Sequence, residues 1–73
     1  MDNVYKHNFS KEQLKGILRE LTRQLGEMER NDEDKNEIRN KMLDIDHYER
    51  MWYEVATWDE YLAFDEELSE IRG

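Results

Sequence analysis

An all-α fold follows from three features of this 73-residue sequence: apolar side chains recur at intervals of three and four, two Ser/Thr-x-x-Gln/Glu signatures precede such stretches, and proline is absent. Intervals of three and four place side chains on one helix face. The signatures are capping boxes, in which the hydroxyl and the carboxamide or carboxylate satisfy free amides of a first turn. Without proline, no helix interior is interrupted by a missing amide. The expected architecture is a small bundle of two to three helices over about residues 11–30, 33–55 and 58–71, forming one domain across 1–73 and completed by homodimerisation. Residues 1–9, with Val4, Tyr5 and Phe9 among polar neighbours, are expected to form a partly ordered arm.

The first helix begins after Ser10, which forms a capping box with Gln13, while Phe9 and Leu14 stand where a hydrophobic staple is made. Leu14, Ile17, Leu18, Leu21, Leu25 and Met28 form its apolar stripe, leaving Lys15, Arg19, Glu20, Arg23 and Glu27 for solvent. Gly16 and Gly26 weaken this helix by roughly 1 kcal/mol each relative to alanine. Asn31-Asp32-Glu33-Asp34 is the natural turn, and Asn31 is expected to cap the second helix with carboxylates at its positive end.

Ile38, Met42, Ile45, Tyr48, Trp52 and Val55 make the second stripe, wide enough to meet more than one neighbour. A second capping box, Thr57 with Glu60, begins the third helix, where Tyr61, Phe64, Leu68 and Ile71 follow at helical spacing. A continuous helix from residue 33 to 72 is the rival, because no proline or glycine interrupts that stretch. The expected packing is an antiparallel pair with a third helix laid across it, or a hairpin with a long second arm. Such a core leaves only a few kcal/mol of net stability, and a second copy against the broad middle stripe is the expected remedy.

Charge is distributed unevenly. Of 19 acids and 11 bases, residues 1–43 hold nine of each, so the entire net charge of −8 lies in residues 44–73. Six of the eight aromatic residues fall between Tyr48 and Phe64. One-sided charge adds self-repulsion and does not favour the fold. It serves either to keep a marginal domain soluble or to meet a basic partner. Nucleic acid itself is excluded as that partner, since binding it requires basic groups that displace counterions. A basic groove of a DNA- or RNA-binding protein fits.

Thirty helical residues span about 45 Å, so −8 is one net charge per roughly 5–6 Å, against one phosphate per 3.4 Å along a DNA strand. Two copies side by side approach that density. Asp59, Glu60, Asp65, Glu66, Glu67 and Glu70, with Glu54, are the candidate phosphate-like carboxylates, and Trp58, Tyr53 and Met51 the candidate apolar anchors.

No catalytic or metal motif emerges. Asp32-x-Asp34-x-Asn36 opens like a calcium loop, but Glu37 stands where glycine is required and Leu43 where the closing glutamate belongs. Asp44 and His47 form one i, i+3 pair, whereas carboxylate-bridged bundles need two such pairs and further glutamates. Ser10 and Thr57 are used as caps, and His7 and His47 have no evident catalytic partner. The expectation is therefore a non-enzyme without metal or cofactor. No apolar run is long enough for a membrane span and nothing resembles an export signal, so a cytoplasmic location is expected.

In size, helical character and its acidic 44–73 half, the chain resembles the small acidic inhibitors that bacteriophages and mobile elements direct against host or defence proteins, some of them DNA mimics. That resemblance implies inhibition of a nucleic-acid-handling protein by occupation of its basic groove. The alternative is a helical structural or adaptor module that binds a partner protein through apolar helix faces.

Overall fold

A computed structural model describes residues 9–73, which form three helices: α1 (Lys11–Arg30), α2 (Lys35–Val55) and α3 (Trp58–Arg72). The expected N-terminal arm lies, Phe9 apart, outside the described residues. Both capping boxes form. Ser10 Oγ accepts from the Gln13 amide at 3.1 Å and Gln13 Oε1 from the Ser10 amide at 2.8 Å; Thr57 and Glu60 make the same reciprocal pair at 3.1 and 2.9 Å. Ala56 and Thr57 are extended, so α2 and α3 are separate helices and not one continuous rod.

The turn between α1 and α2 differs from expectation. Asn31 does not cap α2; it closes α1. The amide of Asp32 donates to the Glu29 carbonyl at 3.2 Å and that of Glu33 to the Met28 carbonyl at 3.0 Å. This is the paired 5→2 and 6→1 pattern of a Schellman ending, with Asp32 in the left-handed conformation at φ 54°. Residues 32 and 33 are thereby consumed in stopping α1, and α2 starts two residues later than expected. Asp34 stands at its N-cap position without a side-chain capping bond.

Helix α1 is the hub. Leu14 and Leu18, both fully buried, lie on its inner face with Thr22, Leu25 and Gly26. Trp52 from α2 and Phe64 from α3 meet in the same core cluster, edge to face with ring centroids 5.3 Å apart. Leu68 completes the cluster, and Ile45, Tyr48, Met51, Val55, Tyr61 and Ile71 pack around it. Most of the broad α2 stripe is thus used within one copy, although Met42 stays exposed. Among the described residues the buried Trp52 indole N–H meets no acceptor, an arrangement that costs about 1–3 kcal/mol.

Direction follows from cross-helix contacts. Lys41 of α2 bonds Gln24 of α1, while Lys15 of α1 lies over the Trp52 ring, so α2 runs antiparallel to α1. Lys11 bonds Glu60, Arg19 bonds Glu67 and Glu29 bonds Arg72, so α3 returns in the same direction as α1. The third helix therefore lies along α1 and is not laid across a hairpin.

The two helical glycines have opposite settings. A Cβ on Gly16 would meet nothing within 4 Å among the described residues, whereas one on Gly26 would stand 2.8 Å from the Arg72 carbonyl oxygen, where the end of α3 comes against α1. Gly16→Ala is expected to raise stability by about 1 kcal/mol through helix propensity alone, and Gly26→Ala to lower it despite the same gain. Urea unfolding followed by circular dichroism measures both. A stabilised Gly26→Ala would show that the end of α3 is not held against α1.

Candidate functional site

The inner flank of α1 determines which carboxylates stay available. Lys11, Lys15 and Arg19 repeat every fourth residue, so they form one basic row, and α3 lies beside it. Lys11 Nζ holds Glu60 Oε1 at 2.9 Å, and Arg19 Nε holds Glu67 Oε2 at 2.5 Å. The Glu60 carboxyl is kept below its ordinary pKa, first by the Thr57 amide and then by Lys11, and the Glu67 carboxyl by its bond to Arg19. Both were expected on the phosphate-like face. In the fold one caps α3 while meeting α1, and the other pairs with α1.

The remaining candidates are placed differently. Glu54, Asp59, Asp65, Glu66 and Glu70 are exposed and make no ion pair among the described residues. Asp59, Glu66 and Glu70 share the outer side of α3 by helical spacing. Elsewhere in the acidic half Asp46 is paired with Arg50, while Asp44 and Glu49 also lack a cationic partner among the described residues. On α1, by contrast, Glu20 and Glu27 are both taken up by Arg23, and Glu29 by Arg72. Carboxylates without an ion-pair partner among the described residues therefore lie on the outer side of α3, on the second half of α2 and in the 32–34 turn, whereas the first half of α2 also carries Lys35, Arg39 and Lys41.

Two of the three expected anchors are open to solvent. Trp58 is 68% exposed and Tyr53 52%. Met51 is half-buried and packs against the core, because two residues along a helix turn it about 200° away from Tyr53. Tyr53 and Tyr61 join α2 to α3: their hydroxyls are hydrogen-bonded at 2.9 Å and their rings lie 4.8 Å apart. Trp58 stacks on Tyr61 at 5.4 Å, with 26° between the planes. The Tyr53 phenol is pushed up to about 12, first by its bond to Tyr61, then by burial and by the negative charge of Glu49 and Asp65.

Glu49 and Leu62 were not singled out from the sequence. Leu62 is 48% exposed, one turn along α3 from Trp58. Glu49 is half-buried with Asp46 and Asp65 nearby; burial, then those two charges, raise its carboxyl above the usual range. The only sequence clue to Glu49 is its position three residues before core Trp52 and four before Tyr53, which puts it at the edge of the core.

Two hollows accompany these features. A cleft of about 120 Å3 between the helices is lined by Glu49, Asp65 and Arg72 among others, well below the size of an ordinary small-molecule site. An open apolar trough of about 510 Å3 lies on the other flank of α1, with Phe9, Ile17 and Leu21 along it and Gly16 as its floor. Among the described residues no three histidine, aspartate or glutamate side chains converge to hold a metal ion, and no helix is long and apolar enough to cross a membrane. No family model matches the chain, and neither curated proteins nor solved structures offer a match.

The pH dependence of stability has two limbs. Glu20, Glu29, Glu60 and Glu67 titrate below their ordinary value of 4.5 in the fold, so their contribution is complete above 4.5 and is lost as pH falls through their lowered values. Glu49 titrates above 4.5, so its penalty is complete at neutral pH and is relieved as pH falls through its raised value towards 4.5. Stability is expected to be highest slightly above pH 4.5, and Glu49→Gln to flatten the neutral-side slope while sparing the acid side. Thermal unfolding across pH 3–8 measures this; an unchanged neutral-side slope in Glu49→Gln would remove Glu49 as its cause.

Proposed function

We propose that this chain is a binding protein whose α2–α3 side enters a basic groove of a DNA- or RNA-handling protein and excludes nucleic acid from it. The observation that carries this reading is the uneven compensation of charge: the acids of α1 are largely paired, while Glu54, Asp59, Asp65, Glu66 and Glu70 face solvent without ion-pair partners among the described residues. A groove built for phosphates offers clustered arginine and lysine, and a carboxylate face competes for those side chains. The aromatic group at the α2–α3 corner supplies contact area that charge alone does not.

In this reading Glu60 and Glu67 have structural duties, and the phosphate-like set is smaller than the sequence implies. A second copy would restore charge density, with Met42 and Leu43 among the exposed apolar residues of α2 for such pairing. The mechanism is competition at the groove without chemical conversion of a substrate.

A helical adaptor is the second reading, favoured by the apolar trough on α1. The two readings put the interface on different flanks and differ in salt response. For the first, capture of a partner from the source organism should weaken steeply with salt, be competed by duplex DNA, and be lost in the triple variant Glu54→Lys, Glu66→Lys, Glu70→Lys with helicity retained. For the second, Ile17→Asp with Leu21→Asp should abolish capture and the charge reversals should matter little. Capture that resists both DNA and charge reversal would overturn the first reading.

A further inference from the structure

The corner between α2 and α3 combines two features that a single type of side chain satisfies together. Along α2, Glu49 and Tyr53 stand four residues apart, and along α3, Trp58, Tyr61 and Asp65 follow at three and four, so each set shares a helix side. The Tyr53–Tyr61 hydroxyl bond joins the two rows, and the Trp58–Tyr61 stack extends them into one run of rings. Glu49, one turn from Tyr53, and Asp65, one turn from Tyr61, line the same cleft between the helices. No lysine or arginine among the described residues bonds either carboxylate; Arg50, one residue from Glu49, turns to Asp46 at 3.1 Å.

A neutral apolar partner covering these rings would strip water from Glu49 and Asp65 without replacing it. An anion would be repelled. An ammonium is a compact, strongly hydrated charge with little flat surface, whereas a guanidinium lies on aromatic faces and donates from its edge to carboxylates. The fold already uses this pairing internally. The Arg19 guanidinium lies 5.4 Å from the Phe64 ring centroid while its Nε and Nη2 donate to Glu67. At the corner the same two kinds of acceptor, aromatic face and carboxylate, stand together, and the arginine that shares the cleft with Glu49 and Asp65, Arg72, is bonded to Glu29 instead.

We propose that the α2–α3 corner docks arginine side chains of a protein partner, one guanidinium lying on the exposed ring of Tyr53 and donating to Glu49 or Asp65, with Trp58 extending the aromatic surface beside it. The proposal rests on the reading that this side faces a basic protein, and it adds that arginine, not positive charge in general, is what is recognised.

Isothermal titration of the full chain with end-capped nona-arginine and nona-lysine peptides at physiological salt tests it. The arginine peptide is expected to bind about tenfold more tightly or better. The double variant Tyr53→Leu, Trp58→Leu should bring the two peptides level, and Glu49→Gln, Asp65→Asn should reduce the arginine preference, with helicity by circular dichroism unchanged in both. Equal, salt-sensitive binding of the two peptides to the unaltered chain would overturn the arginine proposal and leave the basic-groove reading intact. An arginine preference that survives loss of both rings would also overturn it. No binding of either peptide would overturn both.

Discussion

The meeting of Trp52 and Phe64 on the Leu14–Leu18 ridge organises the molecule. Each of these aromatic rings comes from a different helix, and both rest on α1, so the cluster turns three amphipathic segments into one core. In a chain this short the apolar material is barely sufficient, and the edges of the cluster are covered by long cationic side chains. Lys15 lies over the Trp52 and Phe64 rings, and Arg19 lies over Phe64. Their aliphatic stems and charged ends do work that further leucines would do in a larger protein.

That use of lysine and arginine determines the electrostatics. The cations covering the core run along α1, and the carboxylates they reach are those of the adjoining side of α3. Glu60 and Glu67 are neutralised as a by-product of closing the core, while the acids on the outer side of α3 and at the α2–α3 corner lie beyond this basic row. Exposed ion pairs of this type are weak stabilisers. Their larger effect is to divide the surface into a compensated flank and an uncompensated one, and the functional proposals depend on that division.

The helices themselves were legible because their boundaries are encoded locally. Ser10 with Gln13 and Thr57 with Glu60 fix two starts within a few residues of chain, and the Ala56–Thr57 break follows from the second of them. The 31–34 turn was less legible, since asparagine and aspartate suit the end of one helix as well as the start of the next, and residue preference does not say which terminus claims them. The placement of the site was legible only in outline. That Trp58 and Tyr53 are open to solvent could be inferred from their positions off the apolar stripes. The fate of Glu60 and Glu67 could not, because it depends on α3 returning alongside the basic row of α1. Glu49 was legible only in part: its spacing to Trp52 sets it at the core edge, but the cleft it lines is built from all three helices.

The two indoles of the chain occupy opposite environments, Trp52 only 2% accessible in the core and Trp58 among the most open side chains at the corner. The molecule therefore carries two intrinsic fluorophores with separate duties. Emission from the sealed ring reports whether the helices stay packed, and emission from the outer ring reports what touches the surface, so an encounter at the corner and a loosening of the interior leave different optical signatures without any added label.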